Sequence, residues 1–272
     1  MEAFGIIAGG GEIPHHIVNK LNIEKIPFCV VSINGLFVNA KNLNIDCKRF
    51  EIGQVSGILN FLNSNNVKKV CFVGRVSKPN FSDVKIDLKG SALLAKIGKN
   101  KLLGDDNILR TVIDYIEKHE IKVVSALDIC NDLTMSSKGY YTKSKFSKDL
   151  TEDIQTLKEL HNDLSKYDVG QAIIMQNQRV IGIEGSEGTD NLIKRCKEYI
   201  DPKSKHPGIL AKFAKQNQDL RVDLPTVGID TLKNMLNSNL DALVIDFKNT
   251  LIVDKSNMID FANKNNIVIY GV

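Results

Sequence analysis

The sequence has 272 residues, 43% of them hydrophobic and 25% charged, which marks a globular chain that can bury a core unaided and has length for two domains of roughly 100 to 200 residues each. Its formal net charge of +4 is dispersed, which gives no ground for a nucleic-acid partner and suits an anionic small molecule. Cys29, Cys47, Cys71, Cys130 and Cys196 are odd in number and form no C-x-x-C pair, and no apolar run approaches the roughly 18 residues of a spanning helix, so the chain reads as a cytosolic protein with reduced structural thiols.

Phe4 to Ala8 is a short apolar run ending in Gly9-Gly10-Gly11, after which Ile13, Ile17, Val18 and Leu21 recur at helical spacing. This predicts a strand, a glycine turn and a helix. Backbone N–H groups in such a turn can approach a phosphate, and the helix dipole favours the anion; a tight turn without ligand is the alternative. Pro14 stands where a dinucleotide fingerprint needs its last glycine, and the second strand closes on Val30-Val31-Ser32-Ile33 without an acidic residue, so NAD is disfavoured.

Strands over Pro27–Ile33, Cys47–Ile52 and Lys69–Val76, with a helix from about Val55 to Leu62, give a β-α-β order and a parallel sheet. Gly74 and Arg75 then share a rim with the Gly9–Gly11 turn, where a guanidinium could reach a phosphate. Six lysines between Lys78 and Lys101 (78, 85, 89, 96, 99, 101) against Asp83 and Asp87 read as a solvated loop, or as a contact for anionic lipid. Gly104-Asp105-Asp106-Asn107 opens a helix marked by Ile108, Val112, Ile113 and Ile116. Its adjacent aspartates read as capping, or as oxygen ligands for Mg2+.

Ile121–Leu127 reads as the last strand of the first half, and Asn131–Asp149 as a connector or lid. With a boundary near residue 135, the domains are 1–135 and 136–272. Leu150, Ile154, Leu157, Leu160 and Leu164 mark an amphipathic helix. Gly170–Met175 and Arg179–Glu184 flank Gln176-Asn177-Gln178, a hairpin that makes the second sheet mixed. Glu184-Gly185-Ser186-Glu187-Gly188-Thr189-Asp190 is too polar for a simple turn and reads as a ligand loop, with helix capping by Thr189 or Asp190 as the alternative.

Gly208–Lys212 forms a short strand, and Ala242–Phe247 and Ile267–Tyr270 supply two more. In Arg221-Val222-Asp223-Leu224-Pro225-Thr226-Val227-Gly228, strand alternation turns Val222 and Leu224 inward and sets Arg221 and Asp223 on the other face, until Pro225 stops the pairing. Asp223 then sits at the carboxyl end of a strand, where open α/β sheets bind ligands, or merely orders the turn.

Together the rims offer carboxylates (Asp105, Asp106, Glu184, Glu187, Asp190, Asp223), cations (Arg75, Lys212, Arg221) and glycine turns. That set favours a hard cation and a phosphate-bearing substrate, with a carboxylate that orients or deprotonates water. The five histidines show no zinc spacing.

Ile7-Ala8-Gly9-Gly10-Gly11-Glu12-Ile13-Pro14, Gly104-Asp105-Asp106, Asp168-Val169-Gly170-Gln171, the Glu184–Asp190 loop and Gln218-Asp219-Leu220-Arg221-Val222-Asp223-Leu224-Pro225-Thr226-Val227-Gly228 occur in the order seen in the LpxI family. The chain resembles that family over essentially its whole length. The resemblance implies a Rossmann-like N-terminal domain and a distinct mixed-sheet α/β C-terminal domain, with a ligand clasped between them. It further implies hydrolysis of UDP-2,3-diacylglucosamine to UMP and 2,3-diacylglucosamine 1-phosphate (lipid X) in lipid A synthesis, by water attack at the β-phosphorus.

Mg2+ dependence, a homodimer, and a cytoplasmic location with peripheral contact to the inner membrane belong to the same expectation. Asp223 matches the family's critical aspartate, acting on water or, with Asp106, on the metal. Gly9, Gly10, Gly11 and Gly74 would hold the nucleotide side, and Glu187, Thr189 and Asp190 the glucosamine phosphate side. Arg75, Gly104, Asp105, Gln171, Glu184, Gly188, Lys212, Gln218, Arg221 and Thr226 complete the expected substrate contacts. Lys78 stands where family members more often have arginine, which weakens a bidentate contact there. Activity on another sugar nucleotide, or a nucleotide-sensing module without turnover, are the competing readings.

Overall fold

The computed structural model describes residues 2–38, 43–76, 85–99, 105–146, 150–167, 169–216 and 218–272. The chain divides into two compact units, Met1–Asn131 and Asp132–Val272, a few residues before the expected boundary.

The first unit runs β1 (Ala3–Ala8), α1 (Ile13–Ile23), β2 (Phe28–Ile33), β3 (Asp46–Phe50), α2 (Val55–Ser64), β4 (Val67–Val73), α3 (Leu88–Lys99), α4 (Asp105–Glu117), β5 (Lys122–Val124) and α5 (Ala126–Ile129). All its strand pairs are parallel, in the order β3-β2-β1-β4-β5. This is the Rossmann order, and the direction of winding reverses between β1 and β4. Strands buried on both faces read as unbroken apolar runs, as Ile6, Ile7, Ala8, Val30 and Val31 do. Against them α1 buries Ile13, Ile17, Val18 and Leu21, the spacing read from the sequence.

Two expectations in this unit need correction. The lysine-rich segment is not all loop, since Leu88–Lys99 is helical and buries Leu93 and Ile97, four residues apart on one face. Lys96 there lies 4.7 Å from the centroid of the Tyr115 ring, while Lys78, Asp83 and Lys101 fall outside the described residues. The last strand also stops at Val124 instead of Leu127. Ser125 caps α5 there, accepting the Leu127 N–H at 3.2 Å while its own N–H donates to Asp128 at 3.0 Å.

The second unit comprises β6 (Gly139–Tyr140), α6 (Thr151–Leu164), β7 (Ala172–Gln176), β8 (Arg179–Ile183), α7 (Thr189–Cys196), β9 (Ile209–Lys212), β10 (Thr226–Val227), α8 (Ile229–Leu236), β11 (Ala242–Ile245), β12 (Leu251–Ile252), α9 (Lys255–Lys264) and β13 (Val268–Gly271). Its main sheet is mixed, ordered β6-β13-β11-β9-β7-β8, with the expected antiparallel β7–β8 hairpin; β10 and β12 form a small parallel pair. Asn131–Asp149 is therefore not simply a connector or lid, because Gly139 and Tyr140 pair with Gly271 and Tyr270 at the sheet edge.

Period-two alternation sorts the strand residues between two cores. Ile174, Leu210, Leu243, Ile245 and Ile269 pack with Leu192 and Ile193 of α7, Leu232 and Met235 of α8, and Met258 of α9. Ile173, Met175, Ile209, Ala211 and Val244 pack on the other side with Leu157 of α6. By the same alternation Lys212 follows Leu210 towards the α7–α8 side.

Arg221–Leu224 is not a strand. Val222 and Asp223 each donate their N–H to the Asp219 carbonyl at 3.1 Å, closing a turn, and Val222 and Leu224 are only half-buried. The Asp219 carboxylate accepts the Arg221 backbone N–H at 3.0 Å and Nε at 2.9 Å, so local side-chain bonds outcompete strand pairing. Pro225 precedes the pairing instead of ending it, its carbonyl accepting Leu251 N–H at 2.7 Å as β10 begins. No helix among the described residues is long and apolar enough to cross a membrane. None of the five cysteines, all among the described residues, forms a disulfide, and burial pushes the Cys29 thiol up to about 12.

Candidate functional site

In the first unit β1 and β4 end side by side, with Ala8 opposite Val73, so the turns that follow them meet at the point of reversal. Gly10 and Arg75 bridge there, each donating its N–H to the other's carbonyl at 2.9 and 2.8 Å. A Cβ on Gly9 would lie 2.5 Å from the Arg75 carbonyl oxygen, and one on Gly74 (φ +87°) 2.7 Å from that of Gly10, so this closeness requires glycine.

The expected phosphate approach by Gly9 and Gly10 is corrected by these bonds. Gly9 N–H donates to Val73 O at 2.8 Å and Gly10 N–H to Arg75 O, so neither amide is left for a ligand. Gly11 is the open position: its φ is +102°, nothing lies within 4 Å of its missing Cβ, and α1 begins two residues later. Arg75 is exposed beside that bridge. Asp106 is half-buried in the first turn of α4; Gly104 and the Asp105 side chain fall outside the described residues.

In the second unit the polar residues gather where β8 and β9 end and α7 begins. Glu184 directly follows β8 and is buried. Its Oε2 accepts the N–H groups of Gln171 at 2.9 Å and Ala172 at 2.8 Å, and its Oε1 accepts the Thr189 hydroxyl at 3.0 Å. A Cβ on Gly170 would lie 2.3 Å from Glu184 Cγ, so that glycine makes the room the carboxylate occupies.

Lys212, the last residue of β9, is buried and donates from Nζ to Thr189 Oγ1 and to the Thr226 carbonyl, each at 3.0 Å. Thr189 therefore accepts from the ammonium while it donates to Glu184, which fixes its hydroxyl in one orientation. Gln171 Nε2 donates to Gln218 Oε1 at 2.9 Å. Gln171, Glu184, Thr189, Lys212, Thr226 and Gln218, all expected from the sequence, thus belong to one hydrogen-bonded network.

The other expected residues of this unit sit around that network. Glu187 accepts Arg195 Nε and Nη2 at 3.0 and 2.9 Å and Gly185 N–H at 3.1 Å; its own backbone N–H and the guanidinium hold its carboxyl below the usual range. Asp190 accepts Asn234 Nδ2 at 2.9 Å, tying α7 to α8. Gly188, at φ +78°, occupies the cap position of α7, so neither Thr189 nor Asp190 caps it. Arg221 is folded onto Asp219, with Nη2 2.7 Å from Oδ2. Asp223 is half-buried just past that turn.

Mg2+ takes oxygen ligands and keeps several waters, so one or two carboxylates beside a substrate phosphate suffice to hold it. Asp223, a half-buried carboxylate just past the Asp219–Val222 turn, is an oxygen donor of that kind. Neither Asp223 nor Asp106 belongs to a cluster of three potential ligands of the His, Cys, Asp and Glu type among the described residues.

Sequence reasoning missed Lys215, a second buried lysine, whose backbone N–H donates to Gln218 Oε1 at 3.0 Å. Within Lys215-Gln216-Asn217-Gln218 it looks like solvated loop, and no pattern marks it. Also missed was a cavity of about 340 Å³ beside α6, lined by Lys158, His161, Phe213, Asp246 and Phe247 among others. There burial and the charge of Lys215 push the His161 imidazole down to about 4, against a hydrogen bond to the Phe213 backbone.

Comparison with known proteins covers both units. Residues 3–133 match the LpxI N-terminal domain and residues 137–270 the LpxI C-terminal domain. The UDP-2,3-diacylglucosamine pyrophosphatase LpxI of Caulobacter vibrioides is 27% identical over 276 residues, which covers 100% of this chain and 98% of the relative.

Proposed function

Because the chain belongs to the LpxI family through both its units, we propose that it hydrolyses UDP-2,3-diacylglucosamine to UMP and 2,3-diacylglucosamine 1-phosphate in lipid A biosynthesis. The observation that carries this reading in the second unit is the buried Lys212 ammonium, held by Thr189 and Thr226 at a strand end. Burying an ammonium is costly, and its attraction for an anion grows as water is excluded. A sugar phosphate is the anion such a place suits. In the first unit the open Gly11 turn ahead of α1 suits a nucleotide phosphate by the same electrostatics.

Asp223 is the residue we assign to the attacking water, which it orients or deprotonates. Thr189, whose hydroxyl is engaged by Glu184 and Lys212, meets the sugar phosphate through its backbone N–H at the start of α7, while Glu187 and Asp190 shape the loop that carries it. The other role open to Asp223 is to hold Mg2+ together with substrate phosphate oxygens, where the ion would supply neutralisation of the charge that develops on the phosphates. A homodimer in peripheral contact with the membrane that holds its lipid substrate completes the proposal.

Incubating the purified chain with UDP-2,3-diacylglucosamine, with and without Mg2+, followed by product identification, tests this directly. UMP and lipid X should appear, while UDP-N-acetylglucosamine should stay intact for want of acyl chains. Asp223→Ala should lower UMP release by at least about 100-fold, the usual contribution of a positioned general base. Full release by that variant would remove Asp223 from the chemistry.

A further inference from the structure

We infer that His16, Cys130 and Asp132 form a Zn2+ site, which uses none of the residues assigned to the hydrolysis. A ring nitrogen of His16, the sulfur of Cys130 and a carboxylate oxygen of Asp132 all lie within 4.8 Å of one another. Ligand atoms around one tetrahedral zinc stand roughly 3.3–3.8 Å apart, from bonds of about 2.0–2.3 Å, so small side-chain rotations bring all three onto one ion. The three fall within residues 3–133, which match the LpxI N-terminal domain. Asp132 belongs to the single 3-10 turn Asn131–Leu133, which begins in the first unit.

These donors are distant in sequence, so no zinc spacing announces them, and the fold alone assembles them. His16 stands in the first turn of α1, which packs against α5, and Cys130 directly follows α5. The adjacent His15 is engaged elsewhere, stacked on Phe37 with ring centroids 4.6 Å apart. Cys130 is held by its own N–H, which donates to the Ala126 carbonyl at 2.8 Å, and the Ser125 cap fixes α5 ahead of it. The donor set chooses the metal. Thiolate and imidazole suit Zn2+, whereas Mg2+ and Ca2+ take oxygen ligands. Cys130 is fully buried while His16 and Asp132 are exposed, so the sulfur forms the floor and the ion enters from solvent, with water as its fourth ligand. Zinc bound there ties α1, the helix that the open Gly11 turn leads into, to the end of α5, and so stabilises the folded chain.

Titrating the tag-free full-length chain, stripped of metal and kept reduced, with Co2+ as a spectroscopic stand-in for Zn2+ tests the site. A thiolate-to-cobalt charge-transfer band should grow to saturation at about one equivalent and vanish when an equal amount of Zn2+ is added, since Zn2+ favours a tetrahedral site of nitrogen and sulfur ligands. Zn2+ alone should raise Tm by several degrees. Cys130→Ser should abolish the band. His16→Ala and Asp132→Ala should each weaken Zn2+ binding at least about 100-fold, more than the loss of an outer-shell partner costs.

If Cys130→Ser, at a buried position, does not fold, the two variants at exposed positions decide in its place. Absence of the band in the wild type overturns the site. So does a band that survives Cys130→Ser, because another cysteine then supplies the sulfur. Zn2+ binding by His16→Ala and Asp132→Ala as tight as that of the wild type overturns it too, as does loss of the band on adding Mg2+, which marks an all-oxygen site. None of these readings uses turnover, so failure of the proposed hydrolysis leaves them standing.

Discussion

Glu184→Ala is the perturbation on which the second unit's organisation can best be judged. It removes one buried carboxylate that accepts from Gln171 N–H, Ala172 N–H and the Thr189 hydroxyl at 2.9, 2.8 and 3.0 Å. Hydrogen bonds to a charged acceptor contribute about 1.5–3 kcal/mol each, and water entering the vacated space recovers part of that. With roughly 1 kcal/mol left for each of the three, the expected loss is about 3 kcal/mol. Glu184→Gln keeps an oxygen for the two backbone donors and forfeits only the acceptor for Thr189, so about 1 kcal/mol is expected. Urea unfolding followed by tyrosine fluorescence reads this in the right unit. The chain has six tyrosines and no tryptophan, and every tyrosine except Tyr115 lies in the second unit. With an m value of about 2 kcal/mol per M, the alanine variant should lose about 1.5 M of its midpoint and the glutamine variant about 0.5 M. Equal shifts for the two variants, or an alanine shift below about 0.5 M, would refute the claim that this carboxylate organises the strand ends.

Lys212→Met keeps the buried stem and removes the ammonium that donates to Thr189 and Thr226. It should lower hydrolysis at least about 100-fold while Tm moves by only a few degrees, since apolar replacement of a buried charge is often neutral for stability; calorimetry beside product assays checks both halves. His161 bears on pH: its value in the folded chain, about 4, lies below the ordinary 6.5, so the unfolded chain takes up the proton more readily. The stability this contributes is complete above about pH 6.5 and is lost as pH falls towards 4. Urea midpoints of wild type and His161→Leu, measured at intervals from pH 7 to 4, should differ by a pH-dependent amount, with wild type losing ground on acidification; a constant difference would contradict the shift.

The sequence made the first sheet legible because its signals reinforce one another. Buried parallel strands announce themselves as apolar runs, and glycines mark where they end, so the meeting of Gly9–Gly11 with Gly74 and Arg75 followed from strand adjacency. It could not reveal that Gly9 and Gly10 donate their N–H groups to Val73 and Arg75, because a glycine turn built for a phosphate and one built to clasp a neighbouring turn have the same composition. Arg221–Leu224 misled for a different reason. Four alternating residues carry little weight against Asp219, whose carboxylate and carbonyl capture Arg221, Val222 and Asp223 within the turn. Leu88–Lys99 was hidden by its lysines, although the four-residue interval between Leu93 and Ile97 was visible in the same letters.

The position of Lys212 joins fold to function more closely than any motif does. Ile209 and Ala211 turn towards α6, and Leu210 and Lys212 towards α7 and α8, so an apolar side chain at 212 would extend the Ile174–Leu210–Ile245 core. A lysine there forgoes that burial, and its ammonium must be met by oxygen. The oxygens come from Thr189, at the start of α7, and Thr226, in β10, two segments that share no strand pairing with each other. The cation thus ties the polar loop to the segment that follows Asp223. Glu184 does the matching work from the opposite side of Thr189, holding the amino end of β7 and so Gln171. Two charged groups with one threonine hydroxyl between them thereby tie the start of β7, the start of α7 and β10 to one another. The strands can present the site only because alternation delivers a charged residue at the single β9 position where the apolar core gives out.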